Sequence, residues 1–230
     1  MALFNSTAFY FQPPVAAAAP APAAYVTDGL IIYMDSTETA SYPGSGTSIF
    51  NLVPGQAYTG SLVNGVTFSG GYLITSVSGT KYIDINAPNY ASQNYTVMGA
   101  TRYNSASGNG RMIAGKNNNW LLGHWQNSTI NYYAEGTIYG IAGGPNDQNW
   151  RIYTGTGNIA GDSYELLVNA SSIASNNGGA QGPNGLRIGI QSNGTETSDG
   201  QFAFIMLYNR VLTGAEITQN YNALKSKVGL

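Results

Sequence analysis

The segment FAFIMLYNRVLTGAEITQNYNALKSKVGL, residues 202–230, changes its periodicity once, in the middle. Residues 202–208 are apolar at nearly every position, the pattern of a strand covered on both faces. Thr213 and Glu216 then form a T-x-x-E capping box, and Ile217, Tyr221 and Leu224 at i, i+4 and i+7 predict one helix with a single apolar stripe. Lys225 and Lys227 suit its C-terminal dipole, and Gly229 supplies a residue able to end it. A buried strand followed by a helix that lies on a sheet is the closing move of a layered β fold.

The rest of the chain agrees. GLIIYMD at 29–35 repeats the doubly apolar pattern, and shorter candidate strands follow at 72–75, 81–85, 95–102, 111–115, 119–124, 129–134, 137–142, 149–154, 163–168 and 185–191. Turn-forming stretches rich in Gly, Asn, Ser and Pro separate them, and the Asn-Gly pairs starting at 64, 109, 177, 184 and 193 mark places that tolerate positive φ. No fixed-period repeat is present. The expected fold is all-β, a two-sheet antiparallel sandwich over residues 28–230.

Residues 1–27 differ in kind. Phe4, Phe9, Tyr10 and Phe11 precede Pro13, Pro14 and an Ala/Pro run, a composition that favours an extended, semi-rigid arm. Such an arm has little of its own to pack against, so these four aromatics are the expected partner-binding residues, on a neighbouring protein or on another copy of this chain.

Composition removes many functions. Only 9% of the 230 residues are charged, against about 25% in ordinary domains, and the formal charge is −2, which leaves no basic patch for nucleic acid. The Ala-rich run is broken by Pro20 and Pro22, so no membrane span is expected. Zero cysteines exclude disulfides, thiolate metal sites and Cys nucleophiles, and a single histidine, His124, excludes any site built on two imidazoles. The first basic residue is Lys81, so a Sec-type leader with a positive n-region is not expected.

Catalysis finds no constellation. The acids are scattered, Asp162 and Glu165 would face opposite sides of a strand, and His124 has no G-x-S-x-G nucleophile elbow to serve. No catalytic, cofactor-binding or metal-binding residue is therefore assigned. Calcium is the one metal whose hard oxygen chemistry the composition admits, with Asp147 and Asp199 in oxygen-rich loops, although turn capping accounts for both equally well. Trp120, Trp125 and Trp150, with Tyr132 and Tyr133, are the candidate rings for stacking on a sugar; core packing is the alternative.

GLIIYMD at 29–35, SYPGSGT at 41–47 and LYNRVLTGAEITQNYNALKSKVGL at 207–230 together resemble the laminin-G-like, concanavalin-A-like jelly-roll domains found in phage and other viral structural proteins. The match at Tyr208, Asn209, Arg210, Leu212, Glu216, Ile217, Asn220 and Tyr221 is the most specific. The resemblance implies a jelly roll whose first and last strands lie side by side. Where the family pattern continues with a Trp-x-Asp-Leu-Ser-Gly-like stretch, this chain has Phe50, Asn51 and Leu52, so a family calcium site is not carried over. Joined to the arm, the resemblance implies a non-enzymatic virion protein: a capsid decoration or cement subunit, weakly a trimer, bound to other virion proteins such as the major capsid protein. A tail-fibre or baseplate subunit, or a carbohydrate-binding adhesion module, are the alternatives.

Overall fold

The computed structural model describes residues 24–106, 109–140 and 145–230. In chain order the strands are β1 (Leu30–Asp35), β2 (Ser48–Phe50), β3 (Thr59–Val63), β4 (Thr67–Ser69), β5 (Tyr72–Thr75), β6 (Tyr82–Asn89), β7 (Tyr95–Tyr103) and β8 (Ile113–Gly115). They continue as β9 (Trp120–Trp125), β10 (Ser128–Ala134), β11 (Thr137–Gly140), β12 (Arg151–Asn158), β13 (Ser163–Val168), β14 (Ser171–Asn176), β15 (Asn184–Ile188) and β16 (Gly200–Tyr208). Helix α1 (Gly214–Leu224) and a short 3₁₀ turn (Lys225–Val228) end the chain.

Two antiparallel sheets form the sandwich. Sheet A runs β14-β13-β12-β7-β16-β5-β4, with β1 also paired to β16, and sheet B runs β11-β10-β9-β8-β15-β6-β3-β2. The first and last strands are thus neighbours, as the resemblance implied. The free edge of β1 is closed largely by Asn51, whose Nδ2 donates to the Ile31 carbonyl at 2.9 Å and whose Oδ1 accepts from the Tyr33 amide at 2.8 Å, with the Leu52 amide on the Tyr33 carbonyl and Ser41 Oγ on the Asp35 amide beside it. An aspartate there would have no proton to give.

The core between the sheets is aromatic and internally hydrogen-bonded. Trp120, Tyr95 and Tyr132 are fully buried; Trp120 Nε1 donates to the Tyr95 hydroxyl at 3.1 Å, the Tyr95 and Tyr132 hydroxyls meet at 2.5 Å, and Tyr132 donates to the Thr156 carbonyl at 3.0 Å. Burial pushes both phenol pKa values well up. Strand β12 makes room for these rings with T-G-T-G at 154–157: a Cβ on Gly157 would stand 2.3 Å from the Tyr95 ring, and one on Gly155 3.2 Å from Tyr132. Those glycines read as a turn after residue 154, yet the strand continues to Asn158 because its partners supply the bulk.

The outer face of sheet A is also covered. Tyr33, Met98, Ile152, Phe204, Met206 and Tyr208 pack against Ile217, Leu224 and Val228. The predicted capping box is present, and the Arg210 fork binds Glu216 at 2.6 and 3.0 Å, holding its carboxyl down at about 2. Gly229 ends the helical segment at φ 71°. Fully buried Asp35 accepts from the Tyr33 hydroxyl, the Thr37 amide and hydroxyl, and Lys227 Nζ at 3.0 Å, tying the last turn to β1.

One boundary moves. Residues 24–27, read from sequence as the end of the arm, belong to the sandwich: Val26 N donates to Asn220 Oδ1 at 2.7 Å, the Tyr208 hydroxyl donates to the Val26 carbonyl at 2.9 Å, and Val26 is buried. Asn220 and Tyr208 offer a donor and acceptors that no helix stripe or strand alternation advertises. Phe4, Phe9, Tyr10 and Phe11 lie outside the described residues.

Candidate functional site

Among the described residues no helix packs on the outer face of sheet B, in contrast to sheet A. In the β9/β10 hairpin, Trp120 opposite Ala134 and Leu122 opposite Tyr132 point into the core. The alternate pair, Leu121 opposite Tyr133, therefore faces outward. The hairpin turn is Gln126-Asn127, both at positive φ (47° and 65°), the two-residue form that matches strand twist without using glycine. Asn127 Oδ1 accepts from the Asn109 amide at 2.9 Å, so the turn is anchored to the segment entering β8.

Over this hairpin lies a slot of about 270 Å³, lined by Arg111, Asn119, Leu121, Trp125, Asn131, Tyr133 and Tyr139, among others. That is close to the lower end of ordinary ligand clefts, about 300 Å³. Leu121 forms part of a nearly closed floor, and Trp125, Tyr133 and Tyr139 are half-buried rings. Aromatic faces beside amides and a guanidinium are what a polyhydroxylated, partly apolar ligand requires.

Arg111 is held tightly. Its amide donates to the Glu196 carbonyl at 2.9 Å, its carbonyl accepts from Ser198 Oγ at 3.0 Å, and its Nε donates to Glu196 Oε2 at 2.5 Å. The other Glu196 oxygen accepts from Trp125 Nε1 at 3.1 Å, so one carboxylate orients both the guanidinium and the indole. In the amide orientation that satisfies both its atoms, Gln191 accepts from Arg111 Nη2 at 3.2 Å. Gly110 permits this approach, since a Cβ there would lie 2.1 Å from the Glu196 carbonyl oxygen. Across the slot, the Asn119 amide donates to Glu135 Oε1 at 2.6 Å. Two polar atoms of these lining residues, Arg111 Nη1 and Asn119 Oδ1, are buried with no partner among the described residues.

The sequence-derived candidates divide. Trp125 and Tyr133 line the slot. Trp120 and Tyr132 are fully buried core residues, so for these two candidates the core-packing alternative replaces sugar stacking, although Tyr132 also borders the slot: the tyrosine network needs the indole N–H inside. Trp150 stands on the other sheet, with Tyr72 at 4.6 Å and Arg102 at 5.2 Å from its ring. His124 is buried between Tyr103 and Tyr153, within 3.2 Å of Thr101 Oγ1, and burial first and Arg151 second push its pKa down to about 3. Arg111, Asn119, Asn131, Tyr139 and Glu196 were not singled out from sequence, because their common neighbourhood depends on pairings up to 85 residues apart.

The two acids read as possible oxygen ligands, Asp147 and Asp199, have protein partners. Asp147 receives the Arg151 fork at 2.7 Å on each oxygen, and Asp199 accepts from Ser76 Oγ and the Val77 amide at 2.8 Å. Among the described residues no three His, Asp or Glu side chains gather as a metal cluster, and no helix is long and apolar enough to cross a membrane. A second crevice of about 490 Å³ lies where Tyr25, Tyr33 and Leu52 meet Leu224 and Lys227, against the Asp35 network.

Residues 77–218 match a family model described as the concanavalin A-like lectin/glucanases superfamily. No curated protein sequence matches the chain. Among solved structures, a Trypanosoma rangeli sialidase superposes with a TM-score of 0.61 at 14% identity, over 90% of this chain and 35% of the sialidase. The binding domain of botulinum neurotoxin DC, solved with SialylT, gives 0.58 at 11% identity over 86% of this chain and 52% of that one. The binding domain of Paraclostridial mosquitocidal protein 1 gives 0.61 at 13%, over 85% and 52%. This chain thus spans about a third of the sialidase and half of the toxin domains, and at such identities the likeness speaks to the fold.

Proposed function

The chain belongs to the concanavalin A-like lectin/glucanases superfamily, and on that premise we propose that it is a carbohydrate-binding domain whose glycan lies in the slot on the outer face of sheet B. The observation that carries this reading is the convergence of Trp125, Tyr133 and Tyr139 with Arg111, Asn119 and Asn131 on the sheet whose outer face no helix among the described residues covers. Rings stack on the apolar face of a pyranose while amides and guanidinium take its hydroxyls. The toxin binding domains of similar fold favour this over a shell-decoration role, whose expected anchors lie outside the described residues.

The role is binding without hydrolysis. A glycosidase needs two carboxyl groups free to flank a bond. Near the slot, Glu196 is committed to Arg111 and Trp125, and Glu135 to the Asn119 amide. Asp162 precedes β13 in a turn, whereas Glu165 accepts from Ser172 Oγ at 2.6 Å.

A glycan array followed by titration calorimetry tests the proposal. Binding should fall by about tenfold or more with Trp125→Ala or Tyr133→Ala and stay unchanged with Trp150→Ala on the opposite sheet. Retention of full affinity by both slot variants would move the site elsewhere, and release of reducing sugar from any bound glycan would make the chain an enzyme.

A further inference from the structure

We infer, building on the carbohydrate-binding reading, that the slot selects uncharged pyranoses over acidic sugars, and that Glu196 sets this choice by neutralising Arg111. An arginine in a glycan slot would ordinarily favour a sugar carboxylate, because its planar fork matches one in geometry and charge. Here the guanidinium already has its carboxylate: Nε is bound to Glu196 Oε2 at 2.5 Å, and the Arg111 side chain is 5% exposed. A second acid, Glu135, accepts from the backbone amide of Asn119, a lining residue. On the neighbouring strands of the same sheet, Asp84 is shared by Lys116 at 2.8 Å and Arg187 at 3.5 Å, so those cations are also paired. A sugar carboxylate would lose its water beside two acids and one compensated arginine, an arrangement that repels it.

Glu196 also receives the Trp125 indole N–H, so the residue that sets the charge of the slot also fixes the stacking ring.

The test compares matched sugars that differ only at C6: methyl glucoside with methyl glucuronide and methyl galactoside with methyl galacturonide, alongside N-acetylneuraminic acid, titrated by calorimetry into the wild-type chain and Glu196→Gln. A glutamine keeps an acceptor for the indole but removes the charge. The wild type should favour each neutral sugar over its acid by about tenfold or more, and Glu196→Gln should shrink that ratio by about tenfold, with the acidic sugars gaining. Glu135→Gln, read against a thermal melt of each variant, should shift the ratio the same way by less, and it carries the test if Glu196→Gln does not fold. A wild-type preference for the acids, or a ratio that neither variant moves, overturns the assignment while leaving the slot a glycan site. Binding of neither class at millimolar sugar, with arrays also blank, overturns the carbohydrate reading and this inference together.

Discussion

The two outer faces of this sandwich are built from the same alternation and put to opposite uses. On sheet A the outward positions are Tyr33, Met98, Phe204, Met206 and Tyr208, and helix α1 closes over them. On sheet B they include Asp84, Arg187, Leu121, Trp125 and Tyr133, and no helix among the described residues covers them. Covering one face supplies the apolar burial that a single sheet-on-sheet core leaves incomplete, and it frees the other face to carry polar and aromatic groups at modest stability cost. On the proposed reading stability and recognition fall to different layers, which makes the division testable one layer at a time.

The largest effect should come from the covered face. Ile217→Ala opens a cavity under α1 and is expected to lower unfolding free energy by about 2–4 kcal/mol in urea titrations, with glycan affinity unchanged. A loss of affinity equal to that of Trp125→Ala would join the two faces into one unit.

Next is acid. His124 is held at about 3 in the folded state against about 6.5 when unfolded, so the unfolded chain takes up the proton first. Its contribution is fully present above about pH 6.5 and is lost as pH falls toward 3, at up to roughly 1.4 kcal/mol per pH unit. Replacing it by Asn should flatten the pH dependence of stability between pH 6 and pH 4, although the variant starts lower. Because the imidazole stays neutral throughout that window, glycan affinity should hold level from pH 8 to pH 5. Parallel pH slopes for wild type and variant would mean that His124 is not the buried neutral group described above.

How much of this was legible beforehand depends on whether the cause was local. The closing strand and helix were legible down to Thr213, Glu216 and Gly229, because capping and periodicity are written in adjacent residues. Strands β2, β3, β4 and β14 were not; they are short or polar, with outward Ser and Thr, and are held by their neighbours. The hairpins were sought at Asn-Gly pairs, whereas Gln126-Asn127 and Asn169-Ala170 take positive φ without glycine. Trp125 and Tyr133 were visible as rings, but alternation alone could not say that Trp120 points inward, since β9 is apolar on both sides, and in β10 the adjacent Tyr132 and Tyr133 put a ring on each face. Arg111 and Glu196 meet only through the loop before β16.

A smaller effect sharpens the contrast at the edge of sheet A. Asn51→Asp removes the donor to the Ile31 carbonyl and sets a charge against it, and should cost about 1–3 kcal/mol in the same urea titrations. An unchanged midpoint would show that β1 needs no such closure. The smallest stability effect belongs to the open face: Tyr133→Ala should change unfolding free energy by less than about 1 kcal/mol while removing binding. If it destabilises as much as Ile217→Ala, the open face is part of the core and the division of labour fails.

The clasp formed by Asn220, Tyr208 and Val26 has a practical corollary. It draws residue 24 onto α1, where the Gln219 amide holds the Ala24 carbonyl at 2.7 Å, and Leu230 follows directly from that helical segment. Both ends of the folded unit therefore emerge on the helix-bearing side, with the slot on the opposite sheet. A tether joined at residue 24 or at Leu230 would present the slot outward like a palm on a wrist, so immobilisation at either point should leave the proposed glycan face free to bind.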